Sequence, residues 1–197
     1  MTTLLAIAGS YRDQGVIDQS VDVAVQAARR AGVRVDVVQL RDFPIGFCRN
    51  CRECTQAPGE APGHCVQQDR MQELIRKIEA ADSLILASPT NFFSVTALFK
   101  RFMERLLVYT YWPWGMHAPR FRKKRQKRAL VIASAAAPAF MGRLFYSTTA
   151  QLKRAAKTMG ARPLAQVFVG LASGTPQTQI SERDKRRIER AVLKLVS

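Results

Sequence analysis

Five short apolar runs, at residues 4–8, 33–38, 83–87, 129–133 and 164–171, alternate with five stretches of helical period. No other feature restricts the fold as strongly. The first run, Leu4-Leu5-Ala6-Ile7-Ala8, has no polar face, so it reads as a strand covered on both sides. The stretch 17–31 carries Val21, Val25 and Ala28 at helical spacing and stops at Gly32; the stretch 69–80 carries Met71, Leu74, Ile75 and Ile78 on one face. Further helices are expected over 95–108, 144–159 and 181–196, the last with Ser181 as its cap. This alternation predicts an α/β three-layer sandwich, a parallel sheet with helices on both faces, with residues 1–197 forming one domain.

The fold sorts the loops. Segments that follow strand C-termini share one edge, where ligands bind at the point of strand-order reversal. The turns 9–16, 88–94 and 134–142 and the cysteine stretch 43–67 are therefore expected on the ligand edge. The insert 109–128 follows a helix and is expected on the opposite edge, away from the main ligand.

At the first of these tips, Gly9, Ser10, Arg12 and Gly15 form a small, polar, positive turn ahead of a helix. Amides at a helix N-terminus favour an anion, Ser10 adds a hydroxyl, and Arg12 can pair with phosphate oxygens. The spacing is neither G-x-G-x-x-G nor G-x-x-x-x-G-K-[ST]. From the residues alone, this is either a phosphate site or a plain strand-to-helix turn.

All four cysteines cluster as Cys48-x2-Cys51-x2-Cys54-x10-Cys65. Such clustering in a chain expected to be cytoplasmic argues for metal or redox chemistry rather than structural disulfides. Three readings stay open: a 4Fe-4S cluster, free or reversibly oxidised thiols, and zinc. His64 is a neighbouring ligand or a surface residue.

Charge bears on partners. Lysine and arginine total 31 against 15 acidic residues, for a net charge of +16, and seven of the nine residues at 120–128 are basic. This excess suits a solvated face, an anionic cofactor, an acidic redox partner or RNA. The aromatic start of the insert, Tyr109 to Trp114, suits either base stacking or a subunit interface of a homodimer or homotetramer. We favour the interface. No apolar run reaches the ~18 residues that a membrane span needs, and Met1-Thr2-Thr3 does not open a signal peptide, so a cytoplasmic protein without membrane contact is expected. No Ser/His/Asp set or carboxylate pair supports hydrolysis.

The pattern G-S-x-R-x-x-G at residues 9–15, together with Ser88-Pro89-Thr90-Asn91-Phe92-Phe93-Ser94 through Lys100 and a following Arg105, resembles the NADPH-dependent FMN reductase family. The resemblance runs from about Leu4 to Leu106. It implies a flavodoxin-like fold with strand order 2-1-3-4-5, bound FMN, and NADPH or NADH as co-substrate. It implies that Gly9, Ser10, Arg12, Gly15, Val16 and Ile17 surround the FMN phosphate. Pro89, Thr90, Asn91, Phe92 and Phe93 would wrap the ribityl chain and ring, and Ser134 and Ala135 would close the other side. The flavin would carry the chemistry with no catalytic side chain, passing electrons to a small acceptor such as a flavin or quinone. Two departures stand out: Ile17 replaces the usual Thr, Ser or Asn, and the turn from Ser134 lacks the usual glycine. The compact cysteine motif resembles the iron–sulfur flavoprotein branch, in which Cys48, Cys51, Cys54 and Cys65 would hold a 4Fe-4S cluster for an electron carrier. Here, too, the sequence departs, with a ten-residue spacer before Cys65. The remaining alternative is a nucleic-acid module using Arg122 to Lys127.

Overall fold

The computed structural model describes residues 2–122, 126–175 and 177–197. The chain runs β1 (Thr3–Ala8), α1 (Val16–Arg30), β2 (Arg34–Gln39), α2 (Met71–Ala80), β3 (Ser83–Asn91), β4 (Ser94–Val95) and α3 (Ala97–Arg105). It continues with β5 (Thr110–Tyr111), β6 (Arg120–Phe121), β7 (Lys127–Ser134), α4 (Ala139–Phe145), α5 (Thr148–Thr158), β8 (Ala161–Val169) and α6 (Glu182–Val196). Five parallel strands lie in the order β2-β1-β3-β7-β8, which is the expected 2-1-3-4-5. This is the flavodoxin-like α/β fold, and strand order reverses between β1 and β3.

Alternate strand residues feed two cores, because strand side chains point to opposite faces in turn. Leu4, Ala6, Ile85, Leu130 and Ile132 pack with Val21 and Ala24 of α1 and Ile188 and Val192 of α6. Leu5, Ile7, Leu84, Leu86 and Val131 pack with Leu74 and Ile78 of α2, Phe99 and Phe102 of α3 and Leu152 of α5. Helix ends follow the sequence signals. Gly32, at φ +76°, lets Val33 N–H reach Ala28 O and Gly32 N–H reach Arg29 O, closing α1 in a paired C-terminal turn. Ser181 caps α6 by accepting from Asp184 N–H.

Four details differ from the sequence expectation. First, β3 runs on to Asn91, because its end folds into a hairpin with β4 (Thr90 opposite Val95, Asn91 opposite Ser94). Second, α3 stops at Arg105 and gives way to a tighter turn over Leu106–Tyr109. Third, the single helix expected over 144–159 is two helices, α4 and α5. Tyr146 is extended, and both the N–H and the hydroxyl of Ser147 donate to Phe93 O, which ties the break to the β3–β4 hairpin. Fourth, β8 starts at Ala161 and slips register between Ala129 and Leu130, beside Pro163, which has no N–H to give.

Candidate functional site

Three strand tips meet in one cleft of about 380 Å³. Ser10, Tyr11, Arg12, Gly15, Val16 and Ile17 come from the β1–α1 turn, Pro89, Thr90 and Asn91 from the end of β3, and Ser134 to Ala136 from the end of β7. No carboxylate lines it among the described residues. Gly15 is the N-cap of α1 and brings no side-chain cap, so the first-turn amides keep their donors for a guest. Ile17 is 2% exposed: its side chain belongs to the core, and only its backbone end serves the cleft. A hydroxyl-bearing residue there would have to leave that core to offer its side chain to the cleft.

The turn is shaped from within and from behind. The Ser10 hydroxyl donates to Arg12 O and accepts from Arg12 N–H, both at 3.1 Å, so it closes the turn on itself. Behind it lies Arg41, just past β2. Its guanidinium donates to Arg12 O at 3.2 Å, to Ser10 O at 3.5 Å, and to the buried carboxylate of Asp18 at 3.1 and 2.9 Å. Asp18 in turn accepts from Gln14 N–H at 3.0 Å, holding Gln14 at φ 54°. The sequence reading missed Arg41. The available signal was its position: the residue leaving β2 must sit beside the tip of the adjoining β1.

The β3 tip is tied to the β1 tip. Thr96, the cap of α3, donates its hydroxyl to Gly9 O at 2.6 Å and accepts from Phe99 N–H. Gly9 does not line the cleft. A Cβ there would lie 2.7 Å from Phe99 Cβ, so this glycine exists for close packing. The Tyr11 hydroxyl oxygen accepts from Leu98 N–H at 3.1 Å, fixing the ring at the cleft mouth. Thr90 and Thr148 share a hydroxyl bond of 2.8 Å. Tyr11, Ala136, Ala172 and Ser173 line the cleft without having been singled out from the sequence. The last two follow β8, the neighbour of β7.

Phe92 and Phe93 sit where the sequence did not foresee. They form the two-residue loop of the β3–β4 hairpin, at φ 45° and 62°, where Asn-Gly is the usual choice. Two bulky residues in that conformation store strain of about 1–3 kcal/mol each. Neither lines the 380 Å³ cleft. Phe93 leans edge-on against Tyr146, with ring centres 5.2 Å apart. Phe92 is 99% exposed and edges a neighbouring cavity of about 710 Å³, which meets the cleft at Tyr11 and Asn91.

The cysteine stretch does not line the cleft, and the insert is not kept apart from it. The two pack together. Trp112 N–H donates to Thr55 O, the guanidinium of Arg52 lies 3.8 and 4.2 Å from the ring centres of Trp112 and Trp114, and Gly63 N–H donates to Val108 O. Arg122 is buried and donates to Thr110 O, Gly59 O, Cys54 O and Ala57 O. Lys127 donates to Glu79 O and Ala81 O. Two residues of the basic run thus point into the protein, while Lys123, Lys124 and Arg125 lie outside the described residues. Of the aromatics expected at a subunit interface, Tyr109 is buried and Trp112 and Trp114 stack on Arg52, while Trp114 keeps most of its surface exposed.

The four thiols are free and share one neighbourhood. Burial, then the nearby Cys65, Cys48 and Cys51, push the Cys54 thiol up to about 11. Cys48 Sγ accepts from Asn50 N–H and Cys65 Sγ from Arg105. Among the described residues no three His, Cys, Asp or Glu side chains stand in a ligating arrangement, so in this conformation the thiols do not form a closed metal set. Gly63 anchors the stretch, since a Cβ would fall 1.8 Å from Cys54 O. Gly63→Ala is expected to pull Cys54 and Cys65 out of place, so that thiol titration with an aromatic disulfide finds the buried Cys65 reacting at least about tenfold faster. An unchanged rate would show that the loop closes without this contact.

Residues 2–176 match the family described as NADPH-dependent FMN reductase. An iron–sulfur flavoprotein of Archaeoglobus fulgidus is 37% identical over 109 residues, which is 55% of this chain and 47% of that protein. Another, from Methanosarcina thermophila, is 26% identical over 105 residues, 53% of this chain and 52% of that protein. The chain spans about half the length of the curated relatives it matches. Among solved structures, an FMN-dependent NADH-azoreductase of Bacillus anthracis superposes with a TM-score of 0.71 at 12% identity, covering 100% of both chains. An NAD(P)H:quinone oxidoreductase of Methanothermobacter marburgensis gives 0.69 at 18% identity, covering 100% of this chain and 98% of that one. These two likenesses establish the fold. With the match spanning residues 2–176, the chain belongs to the NADPH-dependent FMN reductase family.

Proposed function

We propose that this protein is an FMN-dependent oxidoreductase that takes electrons from NADPH or NADH and passes them to a small acceptor such as a flavin or quinone. The observation that carries this reading is the convergence of three strand tips around an uncapped helix N-terminus in a cleft free of carboxylates among the described residues. The donor set suits a phosphate monoester with a long polar chain. The amides ahead of α1 and the Arg12 guanidinium would receive the phosphate. Pro89 to Asn91 and Ser134 to Ala135 would flank the chain and ring, with Thr90 and Asn91 offering polar groups. FMN supplies the hydride and electron chemistry when bound. The protein's part is to bind, orient and shelter it. Arg41 and Thr96 stiffen the two tips that do so.

Addition of FMN to the purified protein tests the proposal. Quenched flavin fluorescence and a higher melting temperature are expected, equivalent to about 2.7 kcal/mol of added stability at a hundredfold excess over Kd. A sample that neither quenches FMN nor shifts its melting temperature overturns it.

The placing of all four cysteines within residues 48–65 favours a second reading, an electron carrier with a 4Fe-4S cluster beside the flavin, which would require the thiols to draw together from the arrangement described above. The similarity to iron–sulfur flavoproteins supports it. The spectrum of protein purified without oxygen separates the two: yellow with no iron for the first, brown with four irons per chain for the second.

We further assign the chain to a single flavodoxin-like domain and to the cytoplasm. No helix among the described residues is long and apolar enough to cross a membrane. A homodimer or homotetramer is supported by exposed Phe140, Leu144 and Phe145 on α4, with exposed Trp114 and Phe121 in the insert as a second apolar surface. An acidic redox partner would meet the positive surface. RNA is the weaker choice, since Arg122 and Lys127 are engaged internally.

A further inference from the structure

Beside the flavin cleft lies the larger cavity of about 710 Å³, walled by α3, α5 and the β3–β4 hairpin. Its chemistry is distinctive. Tyr11 and Phe92 offer aromatic surface at the side facing the cleft, and Met103 gives an apolar floor. Two cations, Lys100 from α3 and Arg154 from α5, face it from different helices. No carboxylate lines it among the described residues. Arg154 makes no ion pair among the described residues, and Lys100 touches only Glu104, at 3.4 Å across exposed side chains. An ion pair of that kind is worth little and yields readily to a better partner.

From this we infer that the cavity is an anion-reading subsite, in which Lys100 and Arg154 hold the negatively charged group of an aromatic molecule that exchanges electrons with the flavin. The inference rests on the proposed FMN reading and narrows its substrate class to anionic aromatics. The aromatic body lies against Tyr11 and Phe92, next to the cleft, and the charged group reaches the two cations. Full exposure of Phe92 on a strained hairpin fits this role, because an apolar ring with no protein neighbour gains most from a guest. The charged group has two sources: a sulfonate or carboxylate on the acceptor, or the 2′-phosphate of NADPH.

The test uses FMN-loaded protein and the double variant Lys100→Gln/Arg154→Gln. Both residues are exposed, so the variant is expected to fold, which its melting temperature checks. Equilibrium binding is read from flavin fluorescence with redox-inert probes: 2-naphthalenesulfonate against neutral 2-naphthalenemethanol, and 2′,5′-ADP against 5′-AMP. The native protein is expected to prefer the more highly charged member of one pair, that is 2-naphthalenesulfonate over 2-naphthalenemethanol or 2′,5′-ADP over 5′-AMP. The variant is expected to lose that preference by about tenfold or more, the scale of one modest charge interaction. A second variant, Lys100→Glu/Arg154→Glu, should invert it. Preference within the naphthalene pair identifies the acceptor as the source, and preference within the nucleotide pair identifies NADPH. If neither pair shows a preference for its more highly charged member, or the variants weaken all four probes equally, the subsite is overturned while FMN binding stands. Failure to take up FMN at all overturns both readings.

Discussion

Asp69→Ala is expected to destabilise the protein by about 3 kcal/mol, measured by urea unfolding followed through tryptophan fluorescence. Among the described residues Asp69 is the only carboxylate paired with Arg105, whose side chain is 1% exposed, with contacts of 2.6 and 3.1 Å. Arg105 also donates to Gly46 O, and Asp69 accepts from Gly46 N–H and Met71 N–H. The pair therefore ties α3 to the two ends of the cysteine stretch. Without Asp69 the guanidinium keeps one carbonyl and a thiol, and its charge stays buried without compensation. Removing one member of such a pair costs more than the pair itself contributes, because the charge left behind has lost water and gained nothing. A loss under about 1 kcal/mol would mean that water reaches Arg105.

The same pair gives a pH dependence. Burial pushes the Asp69 carboxyl up, but the bonds from Arg105, Gly46 and Met71 outweigh it and hold the group below its ordinary value of 3.8. A carboxyl with a depressed folded-state value stabilises the fold fully above its ordinary value, and that contribution is lost as pH falls through the folded one. Stability should thus decline below about pH 4 more steeply in the native protein than in Asp69→Asn. Parallel curves would remove Asp69 from the acid response.

The alternation of apolar runs and helical periods was enough to place all five parallel strands, and the glycines and the serine cap placed the ends of α1 and α6. The resemblance supplied the strand order and named most of the cleft. What escaped the sequence has physical reasons. Apolar residues at helical spacing through Leu144 and Phe145 read as one helix, yet those side chains stay exposed, and Ser147 leaves the helix to bond the hairpin. Gly9 looks like a phosphate-loop glycine but answers to Phe99, a neighbour ninety residues away that no local pattern reveals. Phe92 and Phe93 read from the sequence as part of a turn, and no local pattern shows that two bulky residues take the positive-φ loop of a two-residue hairpin. The rule that sorts loops by sheet edge failed for the cysteine stretch because that segment is long enough to run down α3. Carbonyls at Cys54, Ala57 and Gly59 needed donors, and Arg122 of the insert supplied them.

Arg41→Met should have the other large effect, and it separates stability from binding. Arg41 is 18% exposed and bridges the Asp18 carboxylate, itself 7% exposed, to the carbonyls of the β1–α1 turn. Asp18 lies in the first turn of α1, where a carboxylate already draws on the positive end of the helix. Arg41 neutralises it and leaves that potential for a guest anion. With methionine in place, Asp18 keeps only the Gln14 N–H, so a loss of about 3 kcal/mol in urea stability is expected. The unmasked carboxylate also repels phosphate at the same helix end. FMN affinity is therefore expected to fall by at least about tenfold, that is ~1.4 kcal/mol. Asp18→Asn in the Arg41→Met background removes the repulsion without restoring the bridge. It should recover most of the FMN affinity but only part of the stability. If the double variant binds FMN no better than Arg41→Met alone, the turn's shape rather than its charge governs the site. If Arg41→Met binds FMN as the native protein does, the phosphate does not sit at this helix.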